Sequence, residues 1–268
     1  MHPMERLRYV ARANGVDPSV LVRETAAALA AVAAEDPVGI VAGSRRLIER
    51  HVTTGPMWWL VARVLTAPDP VAAAWIAADE IERDQTSEQV ARCLPDDATV
   101  AIVGWPAQTA EGLRRRGDVE VLVIESAGDG HSLVRRLDAA GVAGVEVPES
   151  GLAAAVSVAD LVILEALAAG PEYLIASAGS HAAAAVAASA GIPVWAVTGV
   201  GRVLPARLWE ALTARLDDRG DEPWDRDEEI VPARLVDHVV GPEGLVEAAA
   251  GLARATCPVV PELLRQAG

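Results

Sequence analysis

Between Thr99 and Gly199 the chain repeats one pattern: a short, β-branched apolar run, then an Ala/Leu-rich segment long enough for a crossover helix. The runs are TVAIVG, VEVLVIES, AGVEVP, ADLVILEA, EYLIAS and IPVWAVTG. Each is bounded by Gly, Pro or charge, as buried strands are. Strands apolar on both faces and joined by crossovers predict a parallel sheet covered by helices on both sides. All six runs are expected in that sheet. Such sheets place ligands in the loops after their strands, so function is sought after Gly104 and Trp105, Glu125 and Ser126, Glu165 and Ala166, Ala176 and Ser177, and Thr198 and Gly199.

Upstream the pattern changes. RETAAALAAVAA is rich in helix formers and ends at Asp36 and Pro37. Ser44 is expected to cap RRLIERHV. MWWLVARVLTA reads as an apolar helix stopped by Pro68 and Pro70, and VAAAWIAADEIERDQTSEQVARCL as one amphipathic helix. The LPDD turn at Leu94–Asp97 then marks the change of period. The expected fold class is α/β, a Rossmann-like parallel-sheet domain (residues 96–268) preceded by an all-helical domain (1–95).

Within the second domain, QTAEGLRRRG and HSLVRRLDAAG read as helices closed by Gly117 and Gly141. IVPARLVDHVVGPEG reads as a turn and a last strand. DRGDEPWDRDEE reads as a charged surface loop carrying one Trp.

Composition narrows the function classes. The 268 residues are 51% hydrophobic, enough to bury a large core or two smaller ones. A net charge of −15 repels a phosphate backbone, so no direct nucleic-acid partner is expected. Two cysteines, Cys93 and Cys257, support neither a disulfide framework nor a cysteine-rich metal site, and no metal is expected. MHPMERLRYV lacks a leader's apolar core and no hydrophobic run spans a bilayer, so a cytoplasmic protein without a membrane partner is expected. With no Phe and two Tyr, the core is expected to draw its bulk from Trp58, Trp59, Trp75, Trp105, Trp195 and Trp209.

Familiar motifs are missing. GWPAQT after the first strand has one Gly and a Pro that removes an amide donor, so no dinucleotide cofactor is expected. HExxH, GxSxG and GKS/T are absent as well.

VLVIES followed by LVRRLDAAGV, then ADLVILEALAAGPEYLIASAGSHAAAAVAASAGIPVWAVTG, then EEIVPARLVDHVVGPEG, resembles the alpha, beta and delta subunits of initiation factor 2B. Their relatives are methylthioribose-1-phosphate isomerase and ribose-1,5-bisphosphate isomerase. The likeness covers roughly residues 95–245. It implies a Rossmann-like domain, self-association as a homodimer and, in the enzymes, aldose–ketose isomerisation of a sugar phosphate.

The resemblance carries the framework and loses the chemistry. Where the enzymes have Gly-Ala-Asp, this chain has Glu165, Ala166 and Leu167. Where they have Asn-Lys-x-Gly-Thr, it has Ala176, Ser177, Ala178, Gly179 and Ser180. Their cysteine would fall near Gly104, and neither cysteine of this chain lies there. Isomerisation needs one group to take a proton from carbon and another to move protons among oxygens. Glu165, Asp160 and His181 are the candidates left for that work.

For binding, Gly179, Ser180 and His181 open a helix whose free amides suit an anion, or simply start that helix. Arg202 either approaches the same anion or anchors its loop. Glu125 either meets sugar hydroxyls or holds the next loop's amides. Trp105 lines the cleft or packs, Ser177 stands at a strand end, and Asp160 carries a proton or caps a turn. Arg114, Arg115 and Arg116 read as a solvated helix end.

Two functions stay open. One is a noncatalytic protein of the initiation factor 2B type that binds a partner protein or a small phosphorylated metabolite. The other is a sugar-phosphate isomerase with substituted catalytic groups.

Overall fold

The computed structural model describes residues 18–36, 38–220 and 222–264. Helices come first: α1 (Pro18–Glu35), α2 (Ile40–Arg50), α3 (Gly55–Thr66), α4 (Pro70–Glu82) and α5 (Thr86–Cys93). Alternation follows: β1 (Thr99–Val103), α6 (Ala107–Leu113), β2 (Glu120–Ile124), α7 (Gly130–Ala139), β3 (Ala143–Val147), α8 (Leu152–Val158) and β4 (Leu161–Glu165). After β5 (Ala168–Ala169) and β6 (Tyr173–Ser177) come α9 (Ser180–Ala190), β7 (Val194–Val197) and α10 (Ala206–Asp217). The chain closes with β8 (Glu228–Pro232), β9 (His238–Gly241), β10 (Gly244–Glu247), α11 (Ala248–Leu252) and α12 (Pro261–Leu264). The expected class is the observed one: a helical region precedes a mostly parallel α/β sheet.

Two compact units form, and they do not follow a single cut near residue 95. Among the described residues, one comprises 18–36, 38–84, 200–220 and 254–264, and the other 85–199 and 222–253. In the first, Trp58, Trp59, Leu29, Leu47 and Ile48 are fully buried. Trp58 donates its indole N–H to the Val52 carbonyl (2.8 Å) and Trp59 to Thr256 Oγ1 (3.1 Å), so neither buried ring strands a donor. Trp75 does not join this core; it is half exposed on α4. Ser44 is no cap, because α2 starts four residues earlier and buries it. The helix expected over residues 71–94 breaks at Arg83–Gln85, where Asp84 turns its carboxylate onto the Val200 amide (2.8 Å).

The second unit carries a seven-stranded sheet in the order β10-β9-β7-β4-β1-β2-β3, parallel except for the β9–β10 hairpin. Its interior, Val100, Ile102, Val121, Val123, Leu161, Ile163 and Val197, is the apolar set, β-branched except for Leu161, that the sequence pattern marks as strands.

EYLIAS does not enter this sheet. As β6 it joins a separate antiparallel sheet, β5-β6-β8. The cause is length: the few residues between β4 and β6 cannot make the crossover that a parallel neighbour requires. The C-terminal segment read as a turn and one strand supplies three, β8, β9 and β10. Gly141 (φ +80°) closes α7 as expected, with its amide on Asp138, whereas α6 ends at Leu113, short of Gly117. Among the described residues no helix is long and apolar enough to cross a membrane.

Candidate functional site

The chain runs β1, β2, β3 to one side of the sheet and then places β4 on the other side of β1. The crevice beyond the carboxyl ends of β1 and β4 is therefore the topological switch point, where sheets of this kind bind ligands. Gly104 and Trp105 leave β1 there, and Glu165 ends β4.

Glu165 does not stand open to the crevice. Its Oε2 accepts the Thr109 amide (3.0 Å) and the Thr109 hydroxyl (3.1 Å) at the start of α6. That helix begins after Pro106, which has no side-chain acceptor, so the carboxylate of a neighbouring strand satisfies one of its free amides, that of Thr109.

The same device recurs twice. Glu125, after β2, accepts the amides of Gly128 (2.7 Å) and Gly130 (3.0 Å) at the start of α7. At α9, Gly179 supplies a left-handed N-cap (φ +95°) and the His181 amide donates to Glu229 Oε1 of β8 (2.7 Å). Three helix starts at this end of the unit thus already hold an anion, and each anion is a glutamate of the chain itself.

The remaining rim residues close on one another. Gly104 turns in the left-handed region (φ +64°), with Ser126 and Ser177 3.4–3.5 Å from where a side chain would begin. Ser126 donates its hydroxyl to the Ala178 carbonyl (3.0 Å), and Gly179 lies against Val103 and Leu152. Ser180 is buried. Trp105 packs against the sheet core, with the Arg136 guanidinium 5.8 Å from its ring centre.

Other candidates lie elsewhere. Asp160 precedes β4, so about 16 Å of strand separates it from Glu165; its carboxylate accepts the Thr99 amide (2.8 Å). Arg202 belongs to the first unit and is buried there. Cys257, also in that unit, is buried, and desolvation pushes its thiol up to about 12, so it offers no thiolate. His131 is exposed beside Glu146 (3.1 Å). Among the described residues no three His, Cys, Asp or Glu gather as a metal site.

No family model and no curated protein sequence matches this chain. Solved structures do. The translation initiation factor eIF-2B of Pyrococcus horikoshii OT3 superposes with a TM-score of 0.74 at 16% identity, over 93% of this chain and 98% of that one. The eIF2B beta of Chaetomium thermophilum gives 0.72 at 17% identity, over 96% and 92%. A chain of the tetrameric eIF2B-beta2-delta2 complex of C. thermophilum gives 0.74 at 20% identity, over 93% and 92%. At such identities the likeness is one of fold, and it extends over nearly the whole length.

Glu229 and Thr109 escape a reading of the sequence. The signal for Thr109 is negative: Pro106 at a helix entry brings no cap, so a cap from a distant element is required. Glu229 sits in an acidic doublet before an apolar run and looks like any solvated strand entry. A second polar feature, at the opposite end of the sheet, is likewise unannounced. It is a cleft of about 750 Å³ lined by Glu172, Tyr173, Arg234, Asp237, His238 and Glu247, with Val236 and Leu252 on its apolar side.

Proposed function

We propose that this chain is a noncatalytic protein of the initiation factor 2B alpha/beta/delta type, acting in the cytoplasm by binding a partner protein and by self-association. The observation that carries this reading is the engagement of Glu125, Glu165 and Glu229 with the chain's own helix-start amides. A carboxylate that accepts two hydrogen bonds as a cap is poorly placed to take a proton from a sugar carbon. An anion at the His181 amide would first have to displace Glu229.

A small phosphorylated metabolite is the lesser ligand on this reading. It would have to reach Gly104, Trp105, Ser177, Gly179 and Ser180 by opening those caps. The assembly of eIF2B beta and delta chains into a tetramer, in a structure of the same fold, supports association as the working mode.

The test is direct. Purified protein is expected to give no aldose–ketose conversion of ribose-1,5-bisphosphate or methylthioribose-1-phosphate above buffer. Turnover that disappears in Glu165→Gln would restore the isomerase reading. Light scattering on the same preparation is expected to give a dimer mass, and a monomer at micromolar concentration removes self-association.

A further inference from the structure

The cleft at the amino end of the sheet has walls held by the chain's own backbone. The turn between β5 and β6 is closed by the Gly170 amide on the Tyr173 carbonyl (2.8 Å), and its Glu172 carbonyl accepts the Ala233 amide (2.8 Å). That second bond ties it to the 3-10 turn Ala233–Leu235, which leads into β9. Asp237 fixes the other side. Its amide donates to the Val194 carbonyl (2.8 Å), its carboxylate accepts the Val194 amide (2.8 Å), and its carbonyl accepts the Ala248 amide at the start of α11 (3.0 Å). Walls pinned in this way leave little backbone to order on binding. The enclosed space, about 750 Å³, is that of a small-molecule site.

Opposite charges line this space without closing on each other. Asp237 is engaged by Val194, and Glu247 lies 3.5 Å from His238 Nε2. Among the described residues the Arg234 guanidinium and the Glu172 carboxylate have no hydrogen-bond or ion-pair partner, although both are exposed in the one cleft. His238 adds an unmet need: its Nδ1 is shielded from solvent and has no partner, a state that few buried polar atoms keep. Val236, Ala248 and Leu252 make the apolar side and are themselves buried. A simple anion would meet Arg234 together with three carboxylates, and a simple cation would meet the carboxylates together with the guanidinium. A molecule that carries a carboxylate and an ammonium group on an apolar body gives each unpaired charge a charged hydrogen-bond partner and covers the apolar side as well.

We propose that this cleft binds a small zwitterion of the apolar dipeptide class, with its carboxylate on Arg234, its ammonium group on Glu172 and its apolar body against Val236 and Leu252. The site lies at the opposite end of the sheet from Glu125 and Glu165, so it does not rest on the noncatalytic reading. The isomerase assay and the titration below fail separately.

The probe is leucyl-leucine, beside its N-acetyl form, which keeps only the carboxylate, and its amide, which keeps only the ammonium group. Each is titrated by calorimetry into the full chain and into R234Q, E172Q and A249W. All three positions are exposed, which lets the variants fold, and an unchanged thermal midpoint verifies it. Ala249 lines the cleft, so A249W narrows the space without touching a charge. The expected result is that wild type binds leucyl-leucine and binds either blocked form roughly tenfold more weakly, as the loss of one charge-assisted hydrogen bond predicts. R234Q and E172Q should each weaken the dipeptide by a similar factor, and A249W should abolish its binding. No binding of leucyl-leucine at millimolar concentration, equal binding of either blocked form, or wild-type affinity in any of the three variants overturns the proposal.

Discussion

The two ends of the seven-stranded sheet use acidic side chains differently. At the carboxyl end, Glu125 and Glu165, with Glu229 from the smaller sheet, reach across to other elements and hold the first amides of α7, α6 and α9. At the amino end, Asp160 and Asp237 hold the opening amides of β1 and β7 through Thr99 and Val194, both at 2.8 Å. Helix starts carry several free amides and a positive dipole end, whereas a strand start carries one amide. Glutamates at the first place therefore occupy what would be ligand sites, and aspartates at the second place only finish a ladder. The end where this architecture usually binds is self-filled, and the open cleft lies at the other.

Arg116 makes the amino end dependent on one side chain. Read from sequence as part of a solvated run, it is largely enclosed. It donates to the carbonyls of Ala91 (2.9 Å), Leu94 (2.8 Å) and Pro95 (3.0 Å) and pairs with Asp96 and Asp118. It thereby satisfies the last carbonyls of α5 and pins the turns that enter β1 and β2.

The largest effect is expected there. Arg116→Ala should cost about 2–3 kcal/mol, from carbonyls left without a donor, read as a lower urea midpoint at unchanged slope. A loss under about 0.5 kcal/mol would show the amino end to be held by the strand ladder alone. Glu165→Ala should cost less, about 1–2 kcal/mol, as removal of a helix cap does. A larger loss than that of Arg116→Ala would reverse the order of the two ends.

Glu229→Gln tests whether the carboxyl end is self-filled. Removing the charge at the His181 amide should raise affinity for inorganic phosphate at least threefold, measured by calorimetry. No change would mean that Glu229 excludes nothing.

The smallest effect is in the acid limb. Arg116 holds the Asp118 carboxyl well below the usual aspartate range, chiefly through their hydrogen bond. A folded value lowered in this way stabilises the protein fully above the ordinary aspartate value, and the contribution is lost as pH falls through it toward the folded value. Asp118→Asn should lower stability at neutral pH, where the charged pair contributes, and flatten the profile below about pH 4, where that contribution is already being lost. An unaltered acid limb would break the assignment.

Much of the fold is legible in the chain. The runs from Thr99 to Val103, Glu120 to Ile124, Leu161 to Glu165 and Val194 to Val197 are strands because β-branched side chains buried on two faces suit little else. The site is less legible. Glu125, Glu165, Gly179 and His181 are found at strand and helix ends as expected, but their partners Thr109 and Glu229 stand 56 and 48 residues away from Glu165 and His181. Hydrogen bonds at such separations leave no periodic trace in a sequence.

The sequence by itself determined the helical lead, the alternation and the strand ends to inspect, because periodicity and residue chemistry are local properties. Only the tertiary structure decided that β6 leaves the main sheet, that Arg202 belongs to the other unit, and that three glutamates already fill the helix starts of the rim. Those outcomes depend on which distant groups satisfy one another's hydrogen bonds, and that pairing exists only once the chain has closed on itself.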